Sequence, residues 1–286
     1  MGGPFHPLRF RRHWTAARRI VQLSVLLLFL APLAGPRLFQ GTLVSSTVFG
    51  VSLSDPLAAL QIAAGVRGLG PRLAASAGLV LATYLILGRA YCGWVCPVNI
   101  ILELIDGLRR RLGWTDRLKL PPGTKYVVLG AVLVLSFAVG LPVFEMVSPP
   151  SILLRNLLFG AGPELALVVA VVLYELLAAR RGWCRTLCPL GGFYSGLGRM
   201  SPVGLQVERS CTGCKLCQRE CPMGEWILRK PVEDLGGPVR SGECTLCGEC
   251  IQVCPRRSIG VRWLGTQRWR SRGVSRRPGA LPVKEV

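Results

Sequence analysis

The sequence predicts two unlike parts in one chain: a membrane α-helical unit of four transmembrane helices, followed by a small α+β domain organised around metal-ligating cysteines. Three observations carry that expectation. Long runs of Leu, Val and Ala fill the first two thirds of the 286 residues, residues 200 to 286 hold eight of the twelve cysteines, and a Cys-x3-Cys-Pro motif recurs within the apolar part. The predicted organisation is a basic N-terminus (1–19), a membrane unit (20–200), a cysteine-rich domain (201–263) and a basic disordered tail (264–286).

The four predicted spans are residues 20–38, 73–91, 126–144 and 164–180, each near the ~20 residues that a ~30 Å hydrocarbon core requires. Arg37, Arg72, Arg89 and Arg180 stand at their ends, where long basic side chains can snorkel to the interface. Four such runs without a charged opposite face argue against buried core helices. Basic residues crowd both termini and the segment 89–125, which places these on the cytoplasmic side and residues 39–71 and 145–163 outside. Arg11-Arg12 ahead of an apolar run suggests an export signal, but charge continues through Arg18 and Arg19 and three more runs follow, so an uncleaved first span is expected. The formal charge of +20 is what topology and anionic lipid would select, and nucleic acid is not an expected partner. The tail, with Arg268, Arg270, Arg272, Arg276 and Arg277 among Gly, Ser and Pro, reads as disordered.

The strongest local signal is Cys211-x2-Cys214-x2-Cys217-x3-Cys221-Pro222, repeated as Cys244-x2-Cys247-x2-Cys250-x3-Cys254-Pro255. This is the spacing of bacterial two-cluster ferredoxins, in which the fourth cysteine of each run ligates the other cluster. The expected ligands are therefore Cys211, Cys214, Cys217 and Cys254 for one [4Fe–4S] cluster, and Cys221, Cys244, Cys247 and Cys250 for the second. Zinc would leave the third and fourth cysteines of each run unexplained, and disulfides are disfavoured in a reducing compartment. The small domain is thus expected to be two-cluster ferredoxin-like, with residues 222–243 as a linker and with the clusters supplying much of its folding energy.

The second kind of pair is Cys92-x3-Cys96-Pro97 and, 92 residues later, Cys184-x3-Cys188-Pro189. Residues four apart share a helix face, and the prolines place each pair at a helix end or bend. Three readings stay open: a further iron–sulfur centre, thiol–disulfide exchange, or small apolar packing residues.

With these elements in order, the chain from about residue 10 to residue 263 resembles the NapH-type quinol dehydrogenase membrane subunits of periplasmic nitrate reductase systems. The resemblance runs through Ser52-Leu53-Ser54-Asp55-Pro56-Leu57, Tyr91-Cys92-Gly93-Trp94-Val95-Cys96-Pro97, Gly182-Trp183-Cys184, Cys188-Pro189 and the eight later cysteines. It implies an electron-transfer subunit of the bacterial inner membrane, multi-pass with both termini cytoplasmic. Such a subunit would take electrons from quinol and pass them through an external ferredoxin-like partner to a periplasmic reductase. The methylamine-utilisation ferredoxin-type proteins share the same length and layout. They stand for the alternative, an electron-transfer or maturation factor for another redox enzyme, or a redox-sensing polyferredoxin.

A quinol site needs a proton acceptor. The candidate is Glu175, with Glu164 about three turns away on nearly the same face. Both also have structural readings, as does Asp55 before Pro56, which suits a helix N-cap. His6 and His13 lie outside the apolar runs, so an intramembrane bis-histidine haem is excluded.

Overall fold

The computed structural model describes residues 11–30, 39–41, 45–48 and 51–264, apart from 67, 69, 115, 117 and 119. The expected disordered tail from 265 onward and residues 1–10 lie outside the described residues. Helix α1 (Arg11–Leu30) leads to an antiparallel sheet of β1 (Phe39–Gly41), β2 (Ser45–Val48) and β3 (Val51–Ser54), with Ser45 opposite Ser54. Helix α2 (Pro56–Val66) starts where the sequence suggested: Pro56 occupies the first turn and the Asp55 carboxylate accepts the Ala58 amide at 3.2 Å.

Helix α3 (Pro71–Leu87) follows, then α4 (Ala90–Trp94), α5 (Val98–Leu112) and α6 (Thr124–Val139). Next come α7 (Val143–Val147), α8 (Pro149–Phe159), α9 (Leu165–Leu177), a π-helical turn (Trp183–Leu187) and α10 (Pro189–Gly198). Helix α10 packs on α6 and α3, and α6 also packs on α2. There Leu57, Phe144, Leu190 and Tyr194 form a buried cluster. A second cluster, Val98, Leu102 and Ile105, joins α5 to α8 and α9.

The expected four transmembrane helices are not formed: among the described residues no helix is long and apolar enough to cross a membrane. Helices α3, α6 and α9 have 17, 16 and 13 residues, which at 1.5 Å per residue is about 26, 24 and 20 Å against the ~30 Å needed. The apolar runs overestimate the helices because backbone turns cut them. Helix α3 stops at Gly88 (φ 63°) and α6 at Gly140 (φ 76°), left-handed positions that end a helix without Cβ strain. Helix α1 begins inside the basic segment, and residues 31–38 of the first predicted span are outside the described residues. Two of the arginines expected to snorkel are partnered instead, Arg180 with Asp106 and Arg89, 1% exposed, with Glu243, while Arg72 is exposed and Arg37 lies outside the described residues. Membrane lipid and quinol as partners, the multi-pass inner-membrane location and the two-sided topology rested on those spans and fall with them. The outer faces nonetheless stay apolar, with Leu79, Val134, Phe137 and Phe159 exposed.

The segment 89–125, expected as a loop between spans, contains the amphipathic helix α5. Val98, Leu102, Ile105 and Arg109 fall on its buried side, and Arg109, Arg110 and Arg111 in its last turn complement the helix dipole.

Beyond α10 lies a small α+β unit: β4 (Val203–Val207), α11 (Leu216–Glu220), α12 (Trp226–Glu233), β5 (Gly237–Pro238), α13 (Glu249–Val253) and β6 (Ile259–Trp263). The antiparallel sheet has the order β5-β4-β6, and Val207 pairs with both Gly237 and Ile259. Residues 222–243, expected as a linker, supply α12 and β5. Ile227, Leu228, Val232 and Val239 from this stretch form a core with Leu205, Val207, Met223 and Ile259.

Candidate iron–sulfur sites

The eight C-terminal cysteines line two cavities. Cys211, Cys214, Cys217 and Cys254 border one, and Cys221, Cys244, Cys247 and Cys250 border the other. Each cavity draws three sulfurs from one run and the fourth from its repeat. The contact of α11 with α13 makes this exchange possible, because each short helix carries the third cysteine of its run and leads into the fourth.

The backbone repeats with the cysteines. Left-handed residues fall at Gly213 (φ 71°) and Lys215 (φ 59°), and again 33 positions later at Leu246 (φ 51°) and Gly248 (φ 79°). Alternating right- and left-handed residues turn successive amides inward to make a concave anion cradle of the kind found around iron–sulfur groups. The amides of Gly213 and Ser258 donate to the sulfurs of Cys211 (3.5 Å) and Cys254 (3.3 Å).

Burial, together with the sulfurs of Cys211, Cys214 and Cys254, pushes the Cys217 thiol up to about 12. Burial and Cys247 push Cys221 up to about 11, and Cys250 is raised by burial and by Cys247, Cys244 and Cys221. Thiols crowded this way resist ionisation unless positive charge enters among them, which an iron core supplies. All twelve cysteines are free of disulfides. Among the described residues no three His, Cys, Asp or Glu side chains converge as the ligands of one metal ion, whereas a single zinc would draw its sulfurs to ~2.3 Å from one point. Four sulfurs disposed around a cavity, over a cradle of amides, fit a multi-iron cluster.

The two Cys-x3-Cys-Pro pairs also come together. Cys92 lies in α4 and Cys96 just before Pro97 and α5; Cys184 lies in the π-turn and Cys188 just before Pro189 and α10. Each pair thus straddles a bend, as the prolines required, and does not run along one continuous helix. Burial and the sulfurs of Cys92 and Cys188 push the Cys96 thiol up to about 12; burial and Cys92 push Cys188 up to about 11. Cys184 is raised by burial, then by Cys188, Glu175 and Cys96. Four sulfurs from two repeats are thus gathered close enough to raise one another in one interior region. Burial alone would equally suit small apolar residues, but their mutual approach suits a shared ligand.

Both cysteine regions meet at a polar seam. A cavity of about 190 Å³ is bordered by Cys92, Cys184 and Cys247 together with Arg18, Arg181 and Glu103. Sequence reasoning missed the role of α1 here. Arg18 is 3% exposed and reaches Glu103 at 2.5 Å, Glu249 at 3.0 Å and the Cys247 carbonyl at 3.0 Å. Trp14 packs so closely that a Cβ on Gly248 would lie 1.8 Å from its ring, and it meets Trp94 edge-on at 5.8 Å. Helix α1 therefore straps the second cysteine run to α4.

Glu175 is buried beneath the Cys184 turn, where its carboxylate accepts the amides of Gly182 (3.1 Å) and Trp183 (2.8 Å). Burial, partly offset by these bonds and by Arg181 and Arg109, pushes its carboxyl up to about 7. It anchors that turn, and its candidacy as a quinol base lost its premise with the spans. Glu164 stands just before α9 and pairs with Arg155 at 3.2 Å. Besides capping α2, Asp55 accepts the Tyr194 hydroxyl at 2.8 Å, and burial raises its carboxyl.

Crossed cysteine cavities in an α+β unit, joined to a helical unit with a third gathering of sulfurs, define an iron–sulfur protein of ferredoxin type. Comparison with known families agrees: residues 69–115 and 161–206 match a 4Fe-4S binding domain, and residues 210–259 a 4Fe-4S dicluster domain. The protein carries two [4Fe–4S] clusters. The chain is 41% identical over 254 residues to the methylamine utilization ferredoxin-type protein MauN of Methylorubrum extorquens, covering 85% of this chain and 86% of that one. It is 36% identical over 266 residues to the ferredoxin-type protein NapH of Escherichia coli, covering 89% and 92%. A MauN protein of Paracoccus denitrificans is 37% identical over 251 residues, covering 84% and 88%. The chain belongs to the family of ferredoxin-type proteins that includes MauN and NapH. No solved structure matches it. The expectation of a quinol-linked membrane subunit serving a periplasmic nitrate reductase is overturned by the absence of a membrane-crossing helix among the described residues, and MauN relatives fit the chain better.

Proposed function

We propose that the protein is a ferredoxin-type electron carrier of the methylamine-utilisation kind, moving single electrons between iron–sulfur clusters. Cys211, Cys214, Cys217 and Cys254 hold one [4Fe–4S] cluster, and Cys221, Cys244, Cys247 and Cys250 the other. Cys92, Cys96, Cys184 and Cys188 hold a further iron–sulfur centre. The observation supporting this reading is the crossed lining of the two cavities, in which each run lends its fourth cysteine to its repeat. All-thiolate donors, amide cradles and surrounding charge are the means by which a protein sets cluster potentials.

The experiment is an iron count with EPR on anaerobically purified protein. About twelve iron atoms per chain, falling toward eight when Cys92 or Cys184 is changed to Ser, support three centres; about eight in both remove the third. For the physiological setting, a strain lacking its MauN protein is given this chain. Restored growth on methylamine supports the assignment, and no restoration by an iron-loaded chain overturns it.

A further inference from the structure

Apart from the cysteines, the most deeply buried charges form one knot where α6, α10 and the residues around Cys244 meet. Arg89 is 1% exposed and Lys125 0%, and both converge on Glu243. Arg89 Nη1 donates to Glu243 Oε2 at 2.6 Å, and Lys125 Nζ bonds the same oxygen. The other oxygen, Oε1, accepts Ser195 Oγ at 2.6 Å and Tyr126 OH at 3.2 Å. Arg89 Nη2 donates to the Cys184 carbonyl at 2.5 Å. One guanidinium therefore ties the Cys184 turn to Glu243, the residue adjoining Cys244.

The packing is built for it. A Cβ on Gly191 would lie 2.6 Å from Arg89 Nη2, so only a hydrogen fits beside the guanidinium. Two cations facing one carboxylate leave a net positive charge out of water, which is unfavourable unless an anion lies near. Thiolate-ligated clusters are anions, and become more so on reduction. Lys215 and Arg256 beside the other cavity are exposed, where solvent and salt screen them.

We propose that Arg89 and Lys125, held by Glu243, are positioning residues whose surplus positive charge draws the electron to the seam. The cluster at Cys221, Cys244, Cys247 and Cys250 is then reduced before the one at Cys211, Cys214, Cys217 and Cys254. This rests on the ligand assignment above.

The test is an EPR-monitored redox titration of the full, iron-loaded chain, with the outer signal identified by its loss in Cys211→Ser. Lys125→Met lowers the reduced-to-oxidised ratio of the seam cluster at fixed potential about tenfold, a midpoint about 59 mV lower for one electron. Glu243→Gln moves it in the opposite direction, and Lys125→Arg restores the wild-type midpoint. The outer cluster moves less in every variant. A purely structural role would move both variants alike, and shifts of one sign, or none, overturn the proposal. Should Glu243→Gln lose its iron, equal midpoints in Lys125→Met and Lys125→Arg overturn it alone. A wild-type chain that holds no iron would instead sink the ligand assignment, so the two failures are distinguishable.

Discussion

The C-terminal unit and the helical unit each gather cysteines, by opposite means. In the first, three sulfurs spaced three positions apart curl around a cavity, and a repeat 33 positions on completes each set. Local backbone does most of the work there, as the paired left-handed residues show. In the second, two pairs 92 residues apart meet only because α10 docks on α6 and α3, and α5 docks on α9. The contrast teaches that similar donor chemistry can be encoded by spacing or by packing, and that the two should respond differently to perturbation.

The sharpest way to break that comparison is to change the exchanged ligands. Cys254→Ser should abolish the same EPR signal as Cys211→Ser, and Cys221→Ser the same signal as Cys244→Ser, each losing one whole cluster. If Cys254→Ser instead matched Cys244→Ser, each run would keep its own cluster and the crossed arrangement would be wrong.

A smaller effect separates the units by pH. Burial lifts Glu175 to about 7 from an ordinary 4.5, whereas Arg89 and Lys125 overcome burial and hold Glu243 below its ordinary value. Between those limits folded Glu175 binds a proton that the unfolded chain has released. Stability should therefore fall as pH rises from 4.5 to 7, by about 3 kcal/mol at most. Urea melts of Glu175→Gln across that range should show this slope flattened.

Comparable in kind but smaller is the cost of prising the units apart. A Cβ at Gly93 would sit 2.7 Å from the Thr245 carbonyl oxygen, and one at Gly198 2.6 Å from that of Gly242. Gly93→Ala and Gly198→Ala should each cost about 1–3 kcal/mol by overpacking. Gly260→Ala, with nothing within 4 Å, should melt close to wild type. Least of all, Arg262→Ala breaks an exposed 2.5 Å pair with Glu208 and should change stability by under about 1 kcal/mol, less still at high salt.

Several residues show why some of this was legible beforehand. The cysteine spacing predicted which four residues line each cavity, because a short loop leaves few ways to arrange three sulfurs. Asp55 before Pro56 predicted a cap, since capping is settled within three residues. The spans failed for the converse reason. Hydropathy reports what a run is made of, whereas Gly88 and Gly140 decide where its helix stops. Helix α5 was present in the periodicity of Val98, Leu102 and Ile105, but a stretch rich in arginine reads as a loop when charge is counted without phase.

What the amino-acid order determined on its own was chemistry of short reach: which sulfurs share a cavity, where prolines bend the chain, and which carboxylate caps a helix. Tertiary structure alone decided the seam, where Arg89 finds Glu243 across 154 positions and Lys125 finds it across 118. No local pattern marks such partners, because a buried charge is stable only once distant segments have closed around it and supplied its counter-charge.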